Sequence, residues 1–104
     1  MITVIVKFKL AEAITIQQAR EIFLSTAPKY RGMPGLIRKY YFLDTDGITA
    51  GGIYLWKSRE DADVLYTKEW KAFVHGRYGS DPELTYLDTP VIVDNVSNEI
   101  ISNQ

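Results

Sequence analysis

Two apolar, aromatic-rich segments separated by only four residues constrain the fold of this chain more than any other feature. Leu36–Leu43 and Ile48–Trp56 each have the composition of a β-strand. Asp44–Gly47 between them is typical of a turn, and Gly47 suits a positive φ angle. Strands joined by so short a connection pair antiparallel, so the sequence predicts a hairpin over residues 36–56.

Neither face of this hairpin has the composition of a solvated surface. A four-residue turn predicts that Leu43 pairs with Ile48, which assigns every other side chain to one face. That face carries Ile37, Lys39, Tyr41, Leu43, Ile48, Ala50, Gly52, Tyr54 and Trp56, and the opposite face carries Leu36, Arg38, Tyr40, Phe42, Gly51, Ile53 and Leu55. A sheet that is apolar on both sides needs cover on both sides.

The remaining elements complete a recognisable order. The sequence predicts a first strand over Ile2–Leu10, a helix from a Thr15–Gln18 capping box to Gly32, a second helix from Ser58 to Gly76, and a fourth strand over Glu83–Val93 bent at Pro90. The order βαββαβ predicts an α+β, ferredoxin-like domain with an antiparallel sheet and two helices on one face. Residues 1–94 form that domain and residues 95–104 a polar C-terminal tail. A second copy packed on the other face gives a homodimer, a dimeric α+β barrel.

Composition excludes several functions. The formal net charge of −1 gives no attraction to nucleic acid, and no apolar run is long enough to span a membrane. The chain has no cysteine, and its one histidine among scattered acids shows no metal-ligand spacing. The cytoplasm is the expected compartment. Aromatic residues make up 12% of the chain; they serve either core packing or a pocket for a flat ligand.

Two segments resemble a known family. Met33-Pro34-Gly35-Leu36 leads into the second strand, and Ala50-Gly51-Gly52-Ile53-Tyr54-Leu55-Trp56 is followed at once by a capped helix that contains Ala62. Together they resemble the YdhR-type monooxygenases of the dimeric α+β barrel superfamily, which also holds the antibiotic-biosynthesis monooxygenases. The resemblance implies a pocket between sheet and helices, and oxidation of a small phenolic or quinone-like aromatic by O₂ without a cofactor.

Haem is the alternative cofactor that the superfamily suggests. Its haem-degrading members use an axial histidine on the second helix, which His75 can match by location. The asparagine that those members carry on the first strand is absent here, where Lys7 and Lys9 stand instead. The resemblance therefore favours a chain without a cofactor over one that binds haem.

Cofactor-free oxygenation needs a base, donors for a developing oxyanion, flat apolar walls and exclusion of water. His75 is the candidate base because its ordinary pKa lies near neutrality; it can equally be a solvent-facing residue at a helix end. The candidate substrate-binding residues are Tyr54, Trp70, Tyr66, Tyr41 and Lys39. Lys39 can pair with an anionic substrate or extend to solvent at the dimer edge. A non-catalytic protein that binds a small aromatic ligand, and a purely structural dimer, are the competing hypotheses.

Overall fold

A computed structural model describes residues 1–102. The elements in chain order are β1 (Ile2–Lys9), α1 (Ile16–Tyr30), β2 (Leu36–Leu43), β3 (Thr49–Trp56), α2 (Arg59–Leu65), α3 (Lys68–Tyr78), β4 (Glu83–Asp88), β5 (Val91–Asp94) and β6 (Glu99–Ser102). A four-stranded antiparallel sheet has the order β2-β3-β1-β4, and β5 pairs with β6 separately. The predicted α+β fold is confirmed, with three helices where two were expected.

The core lies between one face of the sheet and the helices. Strand β1 runs through the middle of the sheet, and its alternate side chains Val4 and Val6 are fully buried. Helix α1 begins with the predicted capping box, in which Thr15 accepts from the Gln18 backbone and the Gln18 side chain accepts from the Thr15 backbone. This cap fixes where α1 starts and therefore which of its side chains face the sheet.

The hairpin forms with a register two residues away from the predicted one. Tyr41 pairs with Gly52 and Lys39 with Tyr54. The cause is Asp46, whose carboxylate accepts hydrogen bonds from the backbone N–H groups of Ile48 and Thr49 at 2.9 Å each, which keeps Ile48 in the loop and starts β3 at Thr49. Because side chains alternate with a period of two, this shift leaves the predicted faces unchanged.

A bulge at the start of β2 corrects one further assignment. The register shifts between Leu36 and Arg38, so Leu36 packs on the core and Ile37 is exposed on the other face. The two residues therefore exchange the faces predicted for them, because the bulge adds one residue to β2 against β3.

The predicted second helix is two helices. It breaks at Tyr66, and Thr67 caps α3 by accepting a hydrogen bond from the Trp70 backbone. Gly76 does not end the helix, because a glycine inside a helix costs only about 1 kcal/mol relative to alanine. Gly79, with φ of 94°, ends it instead.

The C-terminal region also differs from the prediction. The expected fourth strand divides at Thr89–Pro90 into β4 and β5, and strand β6 forms where a polar tail was expected. The Asp94 carboxylate accepts from the Val96 and Ser97 backbones and closes the connection between β5 and β6. Asn103 and Gln104 lie outside the described residues. Among residues 1–102, no helix has the length and apolar character needed to cross a bilayer.

Candidate active site

A small cavity lies between the sheet and helices α1 and α3. Its volume is about 20 Å³, which is room for roughly one water molecule. We call it the lysine cavity, because a single charged side chain enters it. The residues that line it are Val6, Phe8, Phe23, Thr26, Tyr30, Lys39, Tyr41, Gly51, Gly52, Tyr54, Trp70, Phe73, Val74 and Tyr78.

Lys39 occupies the centre of this aromatic group. Its Nζ lies 3.4 Å from the ring centroid of Tyr30, 3.8 Å from that of Tyr41 and 4.6 Å from that of Tyr54. Within residues 1–102, its ammonium group forms no ion pair and no side-chain hydrogen bond. Gly52 leaves the space that the lysine stem needs, since a Cβ there would lie 3.0 Å from Lys39 Cε. The half-buried Lys39 side chain has therefore exchanged part of its contact with water for contact with ring faces.

Desolvation changes the protonation of this lysine. The negative faces of the three rings attract an ammonium, whereas burial disfavours the charged form. Burial, with the neighbouring positive charge of Lys29 as a smaller cause, lowers the pKa of Lys39 to about 6. At neutral pH the amine is therefore mostly uncharged and can accept a proton.

Two of the surrounding tyrosines, Tyr41 and Tyr54, stay protonated at neutral pH. Burial raises the pKa of Tyr41 to about 12, and burial also raises the pKa of Tyr54 far above its ordinary value. The Tyr41 hydroxyl shares a 2.8 Å hydrogen bond with the Thr26 hydroxyl, and the Tyr30 hydroxyl accepts a 3.2 Å bond from Trp70 Nε1. The cavity thus joins one base to phenolic O–H donors held in fixed positions, which is what a developing oxyanion requires.

A stacked ring pair separates the cavity from a larger groove on the surface. The rings of Phe23 and Tyr41 stack with centroids 4.8 Å apart, and both residues line the cavity on one side and the groove on the other. The groove beyond has a volume of about 260 Å³. Its lining residues are Ile16, Arg20, Phe23, Leu24, Ala27, Tyr41, Phe42 and Leu43.

The structure brings together most of the predicted site. Lys39, Tyr41, Tyr54 and Trp70 all line the lysine cavity. Tyr66 lies one layer behind them: its ring packs edge-on against those of Tyr54 and Trp70, with centroids 5.5 and 5.0 Å away. Its phenol accepts from Trp56 Nε1 at 3.1 Å. Tyr66 therefore supports Tyr54 and Trp70, which line the cavity, and does not line the cavity itself.

His75 lies elsewhere. It is in the last turn of α3, its side chain is 57% exposed, and its Nδ1 is 2.8 Å from Asp81 Oδ1. It is not among the residues that line the lysine cavity. Its role as a base stays a prediction, and the structure gives it a partner at the surface.

Sequence reasoning passed over Tyr30, Phe23 and Thr26, which all come from α1. The helical spacing of Phe23, Ala27 and Tyr30 does predict that these residues face the core. The spacing does not predict which face of the sheet these helical residues pack against. The alternation of β2 gave the two faces, and only the packed structure shows that α1 covers the one with Lys39.

Neither a haem nor a metal ion fits the residues of this region. A cavity of about 20 Å³ is far smaller than a porphyrin, and the only histidine is outside it. In the part of the chain that the structure describes, no three histidine or acidic side chains come together as a metal site. The chemistry of the lysine cavity is that of an amine and phenols.

The fold is that of the antibiotic-biosynthesis monooxygenases of ferredoxin-like architecture. SnoaB, a cofactor-independent oxygenase from Streptomyces nogalater, superposes with a TM-score of 0.61 at 17% identity, over 85% of this chain and 91% of SnoaB. A monooxygenase from the ActVA-Orf6 gene of Streptomyces coelicolor, solved in complex with Nanaomycin D, gives 0.64 at 17% identity, over 85% and 86% of the two chains. Another antibiotic biosynthesis monooxygenase gives 0.60 at 18% identity, over 86% and 98%.

No family model and no curated protein sequence matches the chain. At 17–18% identity the structural likeness defines the fold and does not define the activity, which depends on the residues of the site.

Proposed function

We propose that this protein is a cofactor-independent monooxygenase of the YdhR type, which oxidises a small phenolic or quinone-like aromatic with O₂. The observation that carries the proposal is the position of Lys39, an amine with a lowered pKa that lies among three tyrosine rings beside a small cavity. Solved proteins of the same fold include a cofactor-independent oxygenase, which supports the class of reaction.

The reaction balances without an added reductant. The Lys39 amine takes a proton from an acidic C–H or O–H group of the substrate, and the resulting anion gives one electron to O₂. The substrate radical and superoxide then join in a C–O bond, and the peroxide takes the proton back from Lys39. Loss of the second hydrogen with cleavage of the O–O bond releases water. For a ring CH₂ group the sum is CH₂ + O₂ → C=O + H₂O.

Room for the ring comes from the partition between cavity and groove. In the structure, Phe23 and Tyr41 stack on each other with the groove of about 260 Å³ directly behind them. A substrate ring that takes the place of Tyr41 against Phe23 joins the two spaces, and its oxygen then faces Lys39. Stacked aromatic pairs of this kind are worth about 0.5–1.5 kcal/mol beyond their buried area, so a bound ring can replace one.

Oxygen consumption tests the proposal. Metal-stripped protein is offered a panel of hydroquinones, anthrones and other polyphenols, and dissolved O₂ is followed with chelator present. We expect uptake that needs folded protein, and we expect His75→Gln to keep it because His75 lies outside the lysine cavity. Loss of uptake in His75→Gln would restore the histidine as the base.

No uptake by the wild-type protein would contradict the proposal. Quenching of Trp70 fluorescence by the same compounds would then identify a binding protein without catalysis, since Trp70 lines the cavity. Absence of both signals would leave the aromatic residues as packing alone.

We also propose a homodimer formed through the sheet face opposite the helices. That face and the β5–β6 hairpin enclose a groove of about 280 Å³ with an apolar lining that includes Ile37, Ile53 and Ile101. Tyr40 on this face is 54% exposed. Exposed aromatic and aliphatic side chains grouped on one sheet face are consistent with an interface between two subunits related by a two-fold axis.

Light scattering measures this assembly. One chain has a mass of 11.9 kDa, and we expect twice that mass at micromolar concentration. Tyr40→Glu places a charge in the proposed interface and is expected to lower the mass to that of one chain. Val64→Glu is the matched control, because Val64 is 79% exposed on α2. A wild-type mass of one chain would contradict the dimer.

A further inference from the structure

The side chain of Lys39 has the surroundings of a nucleophilic amine as well as those of a base. Enzymes that form imines activate a lysine by desolvation in an apolar pocket or by a neighbouring cation. Lys39 has both: its Nζ lies within 4.6 Å of three ring centroids. Lys29 Nζ stands 5.8 Å from the centroid of Tyr30, one of those rings.

The cavity beside the amine determines what can reach it. Its volume is about 20 Å³ and its lining is mostly aromatic and aliphatic. Besides Lys39, the polar side chains in the lining carry hydroxyl groups, of which those of Thr26 and Tyr41 bond to each other, and the indole N–H of Trp70. Such a space favours only the smallest uncharged molecules and offers little to hold a carboxylate or phosphate.

We propose that Lys39 forms an imine with small aldehydes, a covalent activity that is separate from oxygenation. The Nζ lone pair attacks the carbonyl carbon, the N–C bond forms, and the C–O π pair moves to oxygen. Transfer of protons from nitrogen to that oxygen and loss of water give the C=N bond. The sum is R–NH₂ + O=CHR′ → R–N=CHR′ + H₂O, with no change of oxidation state.

The proposal predicts an unusual pH dependence. The ionisable groups that face the amine are Lys29 and Tyr30 from α1, Tyr41 from β2, Tyr54 from β3 and Tyr78 from α3. Burial raises the pKa values of Tyr41, Tyr54 and Tyr78, so none of these three adds a negative charge at neutral pH.

Deprotonation of Lys39 is complete slightly above the pKa of about 6 that burial gives it. Its rate of imine formation therefore levels off above about pH 7, whereas the rate at an ordinary lysine keeps rising about tenfold per pH unit towards about pH 10.

Reductive trapping with acetaldehyde tests the inference. The protein is mixed with limiting acetaldehyde and cyanoborohydride at about pH 6.5, where an ordinary lysine with a pKa of about 10.4 is almost wholly protonated. Peptide mapping by mass spectrometry then gives the ethylated fraction at each lysine. We expect Lys39 to be labelled at least about tenfold faster than exposed Lys57, and its rate to level off as the pH rises.

Two variants provide the comparison within the experiment. Lys39→Arg keeps a long basic side chain at this position but has no amine that can form an imine, so the fast label is expected to disappear. Lys57→Met removes an exposed lysine and is expected to leave the fast label in place. Labelling of Lys39 no faster than that of Lys57, or a fast label that persists in Lys39→Arg, would overturn the inference.

The outcome is independent of oxygen consumption. Trapping needs no O₂ and no phenolic substrate, so failure to trap beside a positive uptake assay removes only the imine. Trapping without uptake leaves the reactive amine established and removes only the monooxygenase.

Discussion

Replacement of Lys39 by methionine is expected to abolish oxygen uptake and, at the same time, to make the protein more stable at neutral pH. General-base catalysis contributes roughly 10²–10⁴-fold to a rate, so uptake should fall at least about 100-fold. Stability rises because methionine fills similar space without a group that loses hydration on burial. A residue kept at the expense of stability is typical of a functional site.

The sign of the pH effect follows from the lowered pKa. In the unfolded chain Lys39 has its ordinary value of 10.5, and in the folded protein its value is about 6. Below about pH 6 both states carry the proton and the full cost of burying the charge is present; above about pH 10.5 neither carries it and the cost is gone. Between these limits the unfolded state binds more protons, so the free energy of unfolding rises with pH, by at most about 1.4 kcal/mol per unit.

Urea denaturation at about pH 7 and about pH 9 measures this difference. The wild-type protein is expected to gain about 2–3 kcal/mol between the two pH values, and the Lys39→Met variant is expected to lack that gain. At about pH 7 the variant is expected to be more stable than wild type by a similar amount. Lys57→Met is the matched control, because Lys57 is exposed and should change neither quantity.

Two results would contradict this account. A Lys39→Met variant that consumes oxygen at the wild-type rate would show that the amine is not the base. A variant with the wild-type dependence of stability on pH would show that Lys39 is protonated in the folded protein, and that the three rings compensate for its burial.

The faces of the hairpin could be predicted from the sequence, and its register could not. Alternation alone places Lys39, Tyr41 and Tyr54 on one face, because a strand has a period of two whatever its partner. The register depends on Asp46, whose side chain accepts backbone bonds from Ile48 and Thr49 and lengthens the loop. An aspartate in a turn is expected to accept hydrogen bonds from nearby backbone N–H groups. Which residues then remain outside the strand pairing is determined only when the strands pair.

The site was predictable to the same extent. The side chains of β2 and β3 that the sequence groups together do line one cavity, because they share one short hairpin. Tyr30 was missed because its contribution depends on how α1 crosses the sheet, which its own sequence does not specify. His75 was selected for its intrinsic pKa, but the extension of α3 past Gly76 places it beside Asp81 at the surface.

Substitution of Gly51 by alanine is expected to cause a large loss of stability. A Cβ at Gly51 would lie 1.8 Å from the carbonyl oxygen of Val6 and 3.0 Å from Phe42 Cζ. The first contact is with backbone of β1, which is paired on both sides by β3 and β4, so relief requires the ladders to shift. We expect a loss on the order of 3–5 kcal/mol in the free energy of unfolding.

The same substitution at Gly76 is the control, with the opposite sign. Nothing lies within 4 Å of a Cβ there, and the residue is inside α3. Alanine should therefore stabilise the protein by about 0.5–1 kcal/mol, because it loses less conformational freedom in a helix than glycine. Denaturant unfolding of both variants gives the comparison, and a loss below about 1 kcal/mol at Gly51 would refute the close approach of β3 to β1.

This close approach also connects stability to the site. Gly51 and Gly52 both line the lysine cavity, and a Cβ at Gly52 would lie 3.0 Å from both Lys39 Cε and Tyr54 Cε1. The paired glycines thus let β3 pack tightly on β1 at one residue and admit the lysine stem at the next. Gly51→Ala should accordingly reduce both stability and oxygen uptake. Gly76→Ala should raise stability and leave oxygen uptake unchanged.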